Sequence, residues 1–155
     1  MKSLEIYITG EPKGQPRPRA CIRGKRAGMY DPGTADSWKS CVRHAAKDAL
    51  LSAGINPAGL TAPIFTGPLR VDIALWFPRP KAHFRKSGIK QDAPTYHTSK
   101  PDRDNCEKAI LDALGANELQ IWRDDAQVCS GGTSKNYAAT DQAAGARIRI
   151  TCLDT

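Results

Sequence analysis

The chain has 155 residues, with 23 Lys or Arg against 16 Asp or Glu and a net charge of +7. That length suits one ordinary domain with a real core and excludes two comfortable ones. No apolar run approaches membrane-spanning length, and five scattered cysteines, odd in number and without a CxxC pair, do not suit a disulfide framework and offer no zinc-ligand spacing.

LEIYIT (4 to 9) alternates apolar and polar residues and reads as a first strand. The opening MKSLEIYITG lacks the unbroken apolar stretch of a signal peptide, so a soluble, cytoplasmic protein without membrane association is expected. GEPKGQPRPRA then breaks regular structure with three prolines and two glycines, and ACIRG with GMYDP predicts a short hairpin about a basic turn. Six bases and no acid fall between residues 13 and 26: Lys13, Arg17, Arg19, Arg23, Lys25 and Arg26. They suit the neutralisation of phosphates, the alternative being a solvated flexible loop.

TADSWKSCVRHAAKDALLSAG predicts a helix with Trp38, Cys41, Val42, Ala45 and Ala49 at helical spacing, stopped by Gly54. LRVDIALWFP (69 to 78) is a second clear strand. Residues 79 to 100 are irregular and basic, with six Lys or Arg and one Asp, and read as a mobile loop. In it Arg85, Lys86 and Lys90 are either DNA contacts or solvated charges, and Phe84 is an aromatic that could stack on an unpaired base. A second helix is predicted from about Asp104 to Leu114, with Cys106, Ala109, Ile110, Ala113 and Leu114 as its apolar stripe and Gly115 ending it. IWRDDAQVC brings Asp124 and Asp125 to the entrance of another strand, and ARIRITCL (146 to 153) alternates as the last. The order predicts a single α+β domain over residues 1 to 155, one mixed β-sheet with two main helices packed on it. The cysteines read as free, mostly buried thiols, the three tryptophans as core anchors, and the three scattered histidines as packing or surface residues.

The acids are not spread evenly. Between Asp102 and Asp125 stand seven of the 16 acidic residues and three of the 23 basic ones, leaving a strongly basic remainder. A basic body around a small acidic focus fits a protein that holds a polyanion and brings metal ions to it. Asp102 and Asp104 fall at a helix start, where free N–H groups favour acids, so capping alone would explain an isolated DxD. At about 100° per residue, Asp104, Lys108 and Asp112 form one row opposite the apolar stripe, though Lys108 and Asp112 also make an ordinary i,i+4 pair. Carboxylates converging from a helix start and a strand start could hold Mg²⁺, and Lys108 would add fixed positive charge for phosphodiester hydrolysis without a covalent nucleophile.

DRDNCEKAILDAL followed by WRDDAQV resembles the signature of the RusA family of Holliday-junction resolvases: Asp102, Asp104, Asn105, Lys108, Asp112, Ala113, Leu114, then Asp124, Asp125, Ala126 and Gln127. The match is dense over residues 100 to 128 and weaker elsewhere, although the early strand, PKGQPRPR, the long helix and the strand before the motif follow in order. The resemblance implies a RusA-like homodimer that binds four-way-junction DNA and nicks two opposed strands with Mg²⁺ or Mn²⁺ and no small-molecule cofactor. It implies a bacterial setting, phage or prophage included, in recombination, repair or phage DNA processing. It places catalytic metal ligands at Asp102, Asp104 and Asp125, with Asp124 as a further candidate, the catalytic lysine at Lys108, and Asn105 and Asp112 in support. The loop at 79 to 100 departs from the family's compact connector, so its DNA contacts do not carry over. Two other readings stay open: a less selective metal nuclease acting on flaps or forks, and a non-catalytic nucleic-acid-binding protein. The second is disfavoured because a pure phosphate binder gains nothing from acids beside the nucleic acid.

Overall fold

The computed structural model describes residues 1 to 115 and 118 to 153. Strand β1 (Ser3–Thr9) is followed by a hairpin, β2 (Arg19–Arg23) and β3 (Arg26–Tyr30), then helix α1 (Asp36–Ser52) and strand β4 (Leu69–Phe77). A small hairpin of β5 (Phe84–Arg85) and β6 (Gly88–Ile89) leads to helix α2 (Arg103–Leu114), and β7 (Val128–Tyr137) and β8 (Gly145–Cys152) complete the chain. The main sheet has the order β1-β8-β4-β7, antiparallel except for the parallel β4 and β7 that α2 connects. This is the mixed-sheet α+β architecture expected from the order of elements.

Alternation in β4 sends Leu69, Val71, Ile73, Leu75 and Phe77 into the core with Ile6, Ile8, Ile148 and Ile150 of the neighbouring strands. Both helices supply the other half of that core. On α2 the predicted stripe is the buried one, Cys106, Ala109, Ile110, Ala113 and Leu114. On α1 the buried face is Trp38, Val42, Ala46 and Leu50, a strict i,i+4 row, so the predicted stripe is turned: Cys41 is exposed and Ala45 and Ala49 lie at its margin. Trp76 is a second correction, because the alternation that buries Phe77 turns Trp76 to the opposite, half-exposed face of the sheet. A third is the thiols, all free, of which only Cys106 is buried while Cys41 and Cys129 are exposed. Burial pushes the Cys106 thiol up to about 11, so it stays protonated and unreactive.

Residues 79 to 100 contain a 3₁₀ turn (Lys81–His83) as well as the β5–β6 hairpin. Arg79 donates to the carbonyls of Ala138 and Pro94, and His97 stacks on Phe77 at 4.0 Å while donating its backbone N–H to Lys135. His83 meets the Tyr137 ring edge-on at 4.8 Å, so both histidines pack on aromatic rings. β7 enters the sheet through a bulge opposite Leu69 and Arg70, and Gly131, at φ +130°, lies so close to the Val71 carbonyl that a Cβ would sit 1.9 Å from it. Among the described residues no helix is long and apolar enough to cross a membrane.

Candidate active site

Asp102 stands at the N-cap position of α2 but makes no cap hydrogen bond with its side chain. Both carboxylate oxygens instead accept from the Lys100 ammonium, at 2.8 and 2.6 Å, and that ammonium, aided by Lys135 and Arg17, holds the carboxyl below its usual range. Capping therefore does not account for Asp102. From the first turn onward, Asp104, Glu107, Lys108 and Asp112 line a cleft of about 310 Å³ with Arg103 and Leu111, and Asp125 joins them from the turn before β7. Two segments distant in sequence thus place Asp104 and Asp125 in one cleft, while Asp102 stands outside its lining, paired with Lys100.

Asp125 is positioned from below. Trp122, 1% exposed, donates its indole N–H to Asp125 Oδ1 at 2.8 Å. Gly115, just after α2, leaves the room for that carboxylate: a Cβ there would lie 2.4 Å from Asp125 Oδ1 and 3.1 Å from the Leu111 carbonyl. The neighbouring residues hold the turn itself. Asp124 accepts the Ala126 N–H at 2.8 Å, and Gln127 accepts the N–H groups of Arg123 and Asp124 in a reciprocal capping box. Gln127 also donates to the carbonyls of Phe65 and Gly67 at 3.2 and 3.0 Å, tying the turn to the core. Asp124, a candidate ligand by sequence, is thus engaged as a cap. Asp112 takes Lys39 of α1 at 3.7 Å and Lys108 at 3.9 Å, so it clasps the two helices and restrains the Lys108 ammonium.

If Trp122 fixes Asp125, then Trp122→Phe should lower cleavage by about tenfold and should also lower thermal stability, since the smaller ring leaves a void at a fully buried position besides removing a hydrogen bond to a charged group. Parallel kinetic and melting measurements check this. Equal wild-type rates would show that Asp125 is held by other contacts.

The basic residues fall into three groups. Arg19, Arg23 and Arg26 lie on the exposed β2–β3 hairpin with Lys25 in its turn, and Arg17 stands close enough to Asp102 to act on its charge. Lys13 pairs with Glu11 at 3.5 Å. Arg85 and Lys86 are exposed on the β5–β6 hairpin, away from the cleft lining. The Asn105 carbonyl accepts the Gln15 N–H at 2.8 Å, docking the proline-rich linker beside the start of α2.

Sequence spacing singled out neither Glu107 nor Lys135, and it took Gly115 only as the end of the helix. Glu107 stands at i+3 from Asp104, which is a readable signal, and its carboxylate accepts the Thr133 hydroxyl at 2.7 Å. Lys135, which donates to the Ser99 carbonyl at 2.6 Å, reaches the site only through the sheet and leaves no local signal. Among the described residues no three His, Cys, Asp or Glu converge as a ready-made metal cage. Hard oxygen donors facing one cleft do fit a cation such as Mg²⁺, which is held by one or two carboxylates and otherwise by water and substrate phosphate.

The family described as endodeoxyribonuclease RusA matches residues 9 to 151. A Bacillus subtilis (strain 168) protein described as uncharacterized protein YqaN is 34% identical over 141 residues, covering 89% of this chain and 90% of that one.

Proposed function

The chain belongs to the RusA family of endodeoxyribonucleases, and on that premise we propose that it resolves four-way DNA junctions by paired nicks in opposed strands, using Mg²⁺, with Mn²⁺ as a substitute. The observation that carries this reading is the convergence of Asp104 and Asp125 in one cleft beside Lys108, with Asp125 held by Trp122. Asp104 and Asp125 would hold the cation, with Asp102 joining them once a phosphate draws Lys100 away. When bound, the cation lowers the pKa of the attacking water and offsets charge on the attacked phosphate. Lys108 places a fixed positive charge where the transition state gains negative charge. Asn105 and Asp112 keep the helix start and the lysine in place, and the basic residues of the linker and hairpin hold the phosphates on either side.

A four-way junction presents two equivalent strands, and one chain supplies one such cleft. Coordinated resolution therefore needs two subunits about a two-fold axis, a homodimer of about twice 16.8 kDa. Recombination, repair and the processing of branched phage DNA are all settings in which that chemistry is used.

The test is cleavage of a synthetic four-way junction, a flap and a linear duplex, each with and without Mg²⁺. Cleavage confined to the junction and dependent on the cation is expected. Equal cleavage of flap and junction would make the chain a less selective branched-DNA nuclease, and binding without cleavage would make it a nucleic-acid-binding protein.

A further inference from the structure

The β2–β3 hairpin forms a two-stranded sheet of its own, and every residue of its strands is exposed except the half-exposed Cys21. Ile22 is 81% and Met29 66% exposed, an unusual placement for large apolar side chains. The register explains how they stand. Ala20 lies opposite Met29 and Ile22 opposite Ala27, while Arg19 lies opposite Tyr30 and Arg23 opposite Arg26. Opposed residues share a face and successive residues alternate, so the hairpin has one apolar face and one basic face. A two-stranded hairpin alone is marginally stable in water, which favours a partner that covers the apolar face.

Charge selects the partner. From Arg19 to Tyr30 the chain carries four bases and no acid. Packing this face against the same face of a second copy would cover Ile22 and Met29 but leave the basic face of each hairpin, with Arg19, Arg23 and Arg26, turned outward without an opposite charge. A polyanion is attracted, but a continuous duplex offers the apolar face nothing, because its base faces are already stacked. Away from its ends, a duplex uncovers base faces only where arms part at a branch point. The hairpin is also tied to the cleft: Gln15 donates its backbone N–H to Asn105 of α2 and its side-chain amide to Asp31, just after β3, at 2.9 Å.

Resting on the junction reading above, we infer that this hairpin reads the branch point, with Ile22 and Met29 against uncovered base faces and Arg19, Arg23 and Arg26 on the flanking phosphates. Its base, joined through Gln15 to the start of α2, sets the distance from the branch point to the cut.

The test uses the full chain and an Ile22→Ser/Met29→Ser variant, whose substitutions lie on the surface. Affinity is measured for a four-way junction and a linear duplex of equal length, and 2-aminopurine at the branch point reports unstacking. The variant should lose about tenfold or more in junction affinity, the scale of one or two base-stacking contacts, keep the duplex affinity of the wild type, and fail to raise the fluorescence that the wild type raises. Arg19→Ala/Arg23→Ala should weaken both substrates alike. An unchanged junction preference and fluorescence rise in the serine variant would overturn the inference. So would a loss of self-association by light scattering, which would assign the apolar face to a second copy. A wild-type protein that shows no junction preference would overturn the junction reading as well, so the two failures are told apart.

Discussion

Asp104→Asn and Asp125→Asn should each reduce strand cleavage by about 10³-fold or more, since a metal-held carboxylate supports several kcal/mol of transition-state stabilisation at about 1.4 kcal/mol per tenfold. Junction affinity should hold or rise slightly, because the basic contacts lie elsewhere and one carboxylate that repels phosphate has been neutralised. Both residues face the same cleft, from α2 and from the turn before β7 respectively, so neither substitution disturbs a buried contact beyond the Trp122 bond to Asp125. Gel-shift and cleavage assays on the same preparations check the result. Full activity in both variants would remove the assignment of these carboxylates.

Lys108→Ala should lower the cleavage rate of bound junction by about 10²-fold, the effect of removing one preorganised electrostatic group. Its side chain is 65% exposed, and its ammonium lies 3.9 Å from Asp112, which also takes Lys39. An ion pair at that exposure contributes little to stability, so the melting temperature should barely move. Single-turnover cleavage at saturating protein separates rate from affinity. A loss of affinity with an unchanged bound-state rate would make Lys108 a phosphate-positioning residue.

Much of the fold was legible because its periodicities are strong. The alternation of β4 and β8 and the apolar stripe of α2 are local patterns, and each is what the sheet and helix bury. The helical row of Asp104, Lys108 and Asp112 is local as well, and all three do line the cleft. On α1 several small apolar residues fit more than one stripe, and packing against β1 and α2, absent from the sequence pattern, selected Trp38, Val42, Ala46 and Leu50. β7 was legible only at its start, since VCSGGTSKNY is mostly polar and its place beside β4 comes from parallel pairing across the sheet. The placement of Asp125 lay furthest from view. It depends on an indole N–H and on the missing Cβ of Gly115, contacts that exist only once Phe65 and Trp122 have joined the two connecting segments.

The most direct measurement is the fate of a supercoiled plasmid carrying an extruded cruciform, incubated with the protein and Mg²⁺. Paired nicking of opposed strands within one bound complex yields linear plasmid as the first product, and chelation of the cation should abolish it. A product that accumulates only as singly nicked circles, from a protein that light scattering shows to be monomeric on the junction, would contradict junction resolution by this chain.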